Sequence, residues 1–292
     1  MSSRNFDPPS SKGIYAAVMT DRDFSRLSAL ISERCGIKLP SAKKTMLEGR
    51  LRKRLRALDL KDFEQYCDYI FSRNGVDPEY LQMIDAVTTN KTDFFREPQH
   101  FHYLTQMAVP DLIEIYGLGV KNRLNIWSAG CSTGEEPYTL AMCLMEFAHR
   151  GLLINFHILA TDISTQVLES ARLGIYEQEK VEPIPLPWRR KYLLRSKDKN
   201  RGLVRITPEL RELVKFQHLN LMAADFGQRE PLAVIFCRNV LIYFNRSNQL
   251  AVLQRFCRHL RRGGYLFIGH SETLHGLDLP LVQAAPTIYR KI

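Results

Sequence analysis

Apolar residues recur at helical spacing through the first third of the chain, then give way to short apolar runs punctuated by glycine, and that change of period divides the sequence. Phe24, Leu27 and Ile31 follow Thr20, with Asp23 at the capping-box position, so a first helix is predicted there. Leu47, Leu51, Leu55 and Leu58 make one stripe of a second helix running from about Ser41 to Leu58. Phe63, Tyr66 and Ile70 mark a third, and Asp77-Pro78 opens a fourth carrying Leu81, Ile84 and Val87. A small helical domain is expected over residues 19–89, behind a lead of residues 1–18 whose Pro8, Pro9 and serines predict disorder.

After a connecting stretch, strands and helices alternate, which predicts an α/β domain with an open, mostly parallel sheet over residues 90–292. Leu124–Trp127 is the first strand, Glu136–His149 its helix, and Phe156–Thr161 the second strand, ending at Asp162. A helix from Ser164 closes near Gly174, and a basic, proline-bearing region from Pro183 to Gly202 interrupts the pattern, an insertion around 183–210. Leu203–Ile206 and Val214–Leu219 are strand-like, Ala233–Cys237 is a buried strand, and Arg246–Leu260 is an amphipathic helix expected to stop at Gly263-Gly264. Tyr265–Ile268 and Thr287–Tyr289 finish the sheet.

Composition narrows the class of protein. The 292 residues are 45% hydrophobic and 25% charged, as in ordinary globular proteins, and no apolar stretch reaches the length of a membrane span. Met1 to Asp7 holds no signal-peptide core, so a cytoplasmic home is expected. The six cysteines are scattered without CxxC spacing and read as reduced core residues. His100-Phe101-His102 lacks a nearby ligand pattern and reads as core and helix surface, so no metal site is expected. The net charge of +10 predicts an acidic partner without saying whether it is nucleic acid, membrane or protein.

The candidate chemistry centres on Ile126-Trp127-Ser128-Ala129-Gly130-Cys131-Ser132-Thr133-Gly134-Glu135-Glu136-Pro137-Tyr138, where a strand runs through a small-residue turn into a helix. The turn is neither GxGxxG nor a P-loop, and the acidic pair Glu135 and Glu136 would repel a phosphate. It suits a ligand with a nucleoside at one end and a cationic amino acid at the other, as S-adenosylmethionine has; the bland alternative is two acids favouring a helix dipole. Asp162, at the carboxyl end of the next strand, can accept from both ribose hydroxyls or serve only the helix that starts at Ser164.

The run Ser128 to Thr139 resembles the cofactor loop of the chemotaxis receptor methyltransferases, the CheR family. The likeness continues through Thr88 to Glu97, Ala160 to Ile163, Phe236 to Phe244 and Gly269-His270-Ser271-Glu272, spanning roughly residues 20 to 292. It implies a Rossmann-like S-adenosylmethionine-dependent methyltransferase sheet, a small N-terminal helical domain and a small antiparallel β-subdomain. It implies Glu136 at the amino-acid end of the cofactor, Asn220 and Leu221 at the adenine, and a lid from which Asn90, Thr92 and Arg96 reach the cofactor. Arg238 and Asn239 join the cofactor residues, and Tyr243 stands near the transferred methyl. Without the resemblance Asn220 would be read as a plain Asn turn, the lid polar residues as helix caps and Tyr243 as core. Arg238-Asn239 stands where amide-directed nucleic-acid methyltransferases carry an Asn/Asp-Pro-Pro-Tyr box, which counts against that activity.

The implied reaction is methyl transfer to a glutamate side chain, giving a methyl ester and S-adenosylhomocysteine. A carboxylate with a pKa of about 4.3 is already ionised at neutral pH, so alignment and desolvation suffice, with Arg96 orienting and Tyr243 shaping the passage. The implied partner is the acidic helical region of methyl-accepting receptors, met by the helix whose Arg50, Arg52, Lys53, Arg54 and Arg56 stand against one acid, Glu48. A merely solvated basic face is the alternative. The enzyme is expected to be a monomer with no membrane insertion of its own, recruited to receptor arrays. Family members that tether to a receptor peptide carry a glycine-richer loop than Ser196 to Gly202, which puts tethering in doubt. The rival functions are a noncatalytic S-adenosylmethionine-binding adaptor and a nucleic-acid methyltransferase.

Overall fold

The computed structural model describes residues 17–72, 78–149, 154–198, 202–228 and 230–292, so residues 1–16 of the lead expected to be disordered and residues 199–201 of the loop before Gly202 lie outside the described residues. Two compact units meet in sequence between Thr88 and Thr89.

The first unit is helical. Thr20 caps α1 (Asp21–Cys35) through a reciprocal capping box with Asp23, and Gly36 closes it at φ 73°. A 3-10 turn, Ser41–Lys43, leads into α2 (Lys44–Ala57), and α3 (Phe63–Phe71) starts where Asp62 accepts the Gln65 amide. Leu47, Leu51 and Leu55 of α2 are fully buried, each worth about 2 kcal/mol, whereas Leu58 lies at the helix end and is only half-buried. In α4 (Pro78–Val87) Met83 joins Ile84 and Val87 inside, and Leu81 stays half-exposed.

The second unit opens with the helical stretch α5 (Pro98–Tyr103), a π turn over Leu104–Ala108 and α6 (Val109–Tyr116). Pro110 lacks an N–H and its ring crowds the carbonyl one turn back, and the wider turn accommodates both. The order is then β1 (Leu124–Ala129), α7 (Glu135–Ala148), β2 (Phe156–Asp162), α8 (Thr165–Leu173) and β3 (Ile175–Glu177). Next come α9 (Leu186–Tyr192), β4 (Leu193–Arg195), β5 (Leu203–Ile206), α10 (Pro208–Glu212) and β6 (Val214–His218). The chain ends with β7 (Leu232–Cys237), α11 (Arg246–His259), β8 (Leu260–Ile268), β9 (Leu281–Ala285) and β10 (Ile288–Lys291).

Seven strands form one sheet in the order β6-β2-β1-β7-β8-β10-β9, and β3-β5-β4 form a separate antiparallel sheet. The ladders β6–β2, β2–β1, β1–β7 and β7–β8 are parallel, while β10 runs antiparallel to β8 and β9. The chain winds outward from β1 in both directions, which leaves a crevice at the carboxyl ends of β1 and β7. All six residues of β7 are buried, as expected of a strand covered on both faces.

Two boundaries differ from the sequence reading: the small antiparallel sheet draws in β3 (Ile175–Glu177), ahead of the insertion expected around 183–210, and the end of α11 differs as well. Gly263-Gly264 does not stop a helix; α11 ends at His259 and the glycines lie inside β8. A Cβ on Gly264 would stand 2.8 Å from the Ala233 carbonyl oxygen, so the pair serves the close approach of β8 to β7, whose register shifts at this place.

Candidate active site

At the carboxyl end of β1 the chain turns at Gly130, φ 81°, where an added Cβ would meet Val240 Cγ2 at 2.4 Å. The amides of Gly130 and Cys131 both donate to the Thr161 carbonyl, at 2.8 and 2.9 Å, which ties the loop to the end of β2. Ser132, at φ 48°, donates its N–H to Asp162 Oδ2 (2.8 Å) and its hydroxyl to the Asn90 carbonyl (2.9 Å). Asp162 Oδ1 accepts the Ser164 amide at 3.0 Å, and Ser164 itself caps α8. The buried Asp162 carboxylate thus organises the glycine loop as well as standing at a strand end.

The acidic pair divides its work. Glu135 is 1% exposed, accepts from Thr133 Oγ1 at 2.7 Å and faces Lys180 Nζ at 3.9 Å. Lys180 also donates to the Thr92 carbonyl (2.5 Å) and Asp93 (2.8 Å). Glu136 accepts from Ser128 Oγ at 2.7 Å and from Arg238 Nη1 at 3.1 Å. Burial pushes both carboxyls above the usual range, with Arg238 opposing the shift at Glu136.

Arg238 leaves β7 and is 6% exposed. Besides Glu136 it donates Nε and Nη2 to Glu97 Oε2 at 3.3 and 3.1 Å, donates Nη2 to the Arg96 carbonyl, and stands over the Phe101 ring at 5.4 Å. Its donors are therefore engaged by the protein, so it acts as a hub joining the α7 acid to the segment before α5. Burial raises the Glu97 carboxyl, but Arg238 and the His270 amide outweigh it and hold Glu97 below the usual range.

Residues 90–97 cover this hub. Phe94 is buried edge-on against Tyr176, 5.0 Å between centroids, and Phe95 packs against Phe101 and Trp188. The Phe95 amide donates to Thr139 Oγ1 at 3.3 Å. The Arg96 guanidinium is half-exposed and donates to the Lys91 carbonyl at 3.1 Å. Among the described residues, six that are not glycine have positive φ, and four of them, Phe95, Glu97, Ser132 and Asn239, belong to these loops. Backbone strain is concentrated where the loops converge.

The exits of β7 and β8 are stitched together by Glu272. Its Oε2 accepts the amides of Asn239 (3.0 Å) and Gly269 (2.5 Å), and Oε1 accepts that of Ile242 (3.3 Å). A Cβ on Gly269 would stand 2.8 Å from the Asn239 amide nitrogen and 2.5 Å from its side-chain Nδ2, so the two loops leave no room there for a side chain. Tyr243 is half-buried in the 3-10 turn Leu241–Tyr243 that follows. Beyond β6, Asn220 Oδ1 accepts the Met222 amide at 2.9 Å, the Asn turn that local chemistry predicts. The Leu219 amide donates to the Asp162 carbonyl at 3.0 Å, which sets this turn beside Asp162; Leu221 is buried and its carbonyl accepts from Arg255.

The structure places Glu136, Asp162, Asn220, Leu221, Arg238, Asn239 and Tyr243 at or just beyond the carboxyl ends of the strands, with the segment carrying Asn90, Thr92 and Arg96 bonded to the same region. Sequence reasoning missed three supporting groups, Glu97, Lys180 and Glu272. Glu97 and Glu272 lie inside segments already singled out, but only the fold shows that their carboxylates bind backbone amides and Arg238. Nothing local distinguishes Lys180.

The basic helix α2 is narrower in effect than its sequence suggests. Arg54 donates to the buried Glu79 at 3.1 and 2.5 Å, a carboxylate that also takes Tyr66 Oη at 2.9 Å, and Arg50 donates to the Val87 and Thr88 carbonyls. These two arginines serve the helical unit's own packing. Arg52 bridges Glu48 at 2.5 Å, while Lys43, Lys53 and Arg56 are exposed.

Comparison with known proteins agrees with the geometry. Residues 90–287 match the family model for the CheR methyltransferase SAM binding domain, and residues 22–88 match that for the CheR methyltransferase all-alpha domain. A chemotaxis protein methyltransferase of Borreliella burgdorferi is 37% identical over 274 residues, covering 94% of this chain and 95% of that protein. One from Escherichia coli K12 is 38% identical over 271 residues, 93% and 91% of the two chains, and chemotaxis protein methyltransferase 2 of Pseudomonas aeruginosa is 39% identical over 270 residues, 92% and 93%. With both units matched, this chain belongs to the CheR methyltransferase family and uses S-adenosylmethionine.

Proposed function

We propose that this chain methylates glutamate side chains in the acidic helical cytoplasmic region of chemotaxis receptors, forming glutamyl methyl esters. The observation that carries this reading is the pairing of two held carboxylates, Asp162 and Glu136, beside a glycine loop that offers a phosphate no cation of its own. When bound, S-adenosylmethionine supplies a methyl group made electrophilic by its sulfonium. Asp162 accepts the ribose hydroxyls, Glu136 faces the cationic amino-acid end, and Asn220 with the Leu221 backbone meets the adenine. Asn90 and Thr92 close over the ligand from the lid, Arg238 holds Glu136 in place, and Asn239 lines the crevice.

The acceptor glutamate needs no general base, because its carboxylate is ionised at neutral pH. The protein's task is to align that oxygen and strip its water. Phe94 and Phe95 provide the dry wall, the half-exposed Arg96 guanidinium orients the incoming carboxylate, and Tyr243 shapes the methyl passage. Arg52, Lys53 and Arg56 on α2, with Lys43 in the turn before it, form the surface for the acidic receptor helices. The working form is a monomer in the cytoplasm, recruited to receptor arrays; among the described residues no helix is long and apolar enough to cross a membrane.

Methyl-labelled S-adenosylmethionine, incubated with the protein and either receptor cytoplasmic fragments or nucleic acid, tests the reading. Base-labile label on the receptor fragment is expected. Base-stable label on nucleic acid, or cofactor binding with no transfer, would instead establish one of the rival functions.

A further inference from the structure

Glu97, His100 and His270 meet beside the hub, and one potential ligand atom from each lies within 4.8 Å of the others. They come from the N-cap of α5, its first turn and the loop after β8, so no sequence spacing announces them. His100 is 1% exposed, and its Nε2 is 2.8 Å from Thr287 Oγ1. The Thr287 hydroxyl also lies 2.7 Å from the Pro286 carbonyl, and when it donates there it accepts from His100 Nε2. That is the tautomer a ligand through Nδ1 needs. The Nδ1 atom is buried, has no hydrogen-bond partner and faces Glu97 Oε2 at 3.4 Å; in this tautomer it presents a lone pair. Two acceptors facing each other repel, and a cation between them removes the conflict.

We infer that Glu97, His100 and His270 form a site for one divalent transition-metal ion of the zinc class, bound through a Glu97 oxygen, His100 Nδ1 and a ring nitrogen of His270. Two ligands about 2.1 Å from a tetrahedral ion stand about 3.4 Å apart, which is the separation of His100 Nδ1 from Glu97 Oε2, 3.4 Å. His270 Nε2 is 3.9 Å from the same oxygen and its side chain is 52% exposed, so a small ring rotation completes the set. Thr287 supplies the outer hydrogen bond that fixes the tautomer of a ligating histidine. Two imidazoles and one carboxylate favour zinc, cobalt or nickel over magnesium or calcium, and three protein ligands leave a position for water.

The ion would share Glu97 with Arg238, whose Nη2 lies 3.1 Å from Oε2, while the other Glu97 oxygen accepts the His270 amide. A second cation on Glu97 repels the guanidinium and presses it towards Glu136, its remaining acid. Metal binding then weakens S-adenosylmethionine binding, and by linkage the ligand weakens metal binding by the same factor. This consequence rests on the proposed role of Glu136, whereas the metal site itself does not.

Zinc chloride titrated calorimetrically into the full chain, alongside His270→Ala and Thr287→Val, tests the site, with cobalt as a spectroscopic probe. One zinc per wild-type chain is expected, with affinity lower by about tenfold or more in each variant, and a nitrogen-ligated cobalt spectrum that His270→Ala abolishes. The His270 side chain is largely exposed, so that variant should melt like the wild type without metal. Absence of stoichiometric zinc binding, or equal affinity in wild type and His270→Ala, overturns the proposal. Zinc bound with unchanged S-adenosylmethionine affinity would uphold the site and overturn the coupling through Arg238 and Glu136.

Discussion

Among single residues, Arg238 does most to shape the site, because one guanidinium pairs with both Glu136 and Glu97 and holds the Arg96 carbonyl. Removing it would leave two partly buried carboxylates facing each other. Glu136 carries a sharper test. Burial keeps its carboxyl above the usual range, and its ionised form is the one that attracts a cation. S-adenosylmethionine affinity should therefore be level above that raised pKa and fall as pH drops through it. In Glu136→Gln the affinity at neutral pH should be weaker by roughly 1–3 kcal/mol, with the acid-side fall much reduced. Calorimetry across the acid-to-neutral range measures both, and an equally steep fall in the variant would take Glu136 out of the cofactor site.

Between elements, close backbone approaches decide what the loops can do. Gly130 after β1 sits against Val240 after β7, with positive φ as well as no room for a Cβ. Gly130→Ala should cost about 2 kcal/mol or more, part from strain and part from the clash. Adding Val240→Ala should recover the clash but leave the strain, so denaturant unfolding of the two single variants and the double variant should show non-additivity. In the helical unit, Arg54 of α2 is the cation for Glu79 of α4, which is only 4% exposed. Arg54→Ala should lower stability by about 3 kcal/mol, since it strands a buried carboxylate. An unchanged melting temperature with lost receptor methylation would instead return Arg54 to the recognition surface.

For the whole molecule, the net charge of +10 concerns encounter more than fold. Lys43, Lys53 and Arg56 are exposed on the helical unit, whereas the proposed cofactor residues belong to the other unit. Replacing these three by Glu should abolish receptor methylation while leaving S-adenosylmethionine affinity and melting temperature close to wild type. Wild-type methylation should also weaken with added salt, because exposed charges are screened over about 10 Å at 0.1 M. Normal kinetics in the triple variant, with no salt dependence in the wild type, would move recognition elsewhere on the surface.

Periodicity and punctuation were enough to read most elements. The Thr20 capping box, the leucine stripe of α2, the glycine turn after β1 and the apolar run of β7 are local patterns whose physics needs no distant partner. Strand-end logic likewise singled out Asp162 from sequence, because a parallel sheet presents its carboxyl ends together, whereas the choice of Glu136 over Glu135 came from the family resemblance. Gly263-Gly264 misled because a glycine pair that ends a helix and one that admits a neighbouring strand look alike until the Ala233 carbonyl is in place. The small strands β3, β4 and β9 are three to five residues long and too short to show a period. Which arginines of α2 face outward, which acid holds Arg238, and the meeting of Glu97 with His100 and His270 were settled only by tertiary structure. Each depends on side chains far apart in sequence, where a charge or a lone pair finds its partner through the fold and no local pattern encodes the pairing.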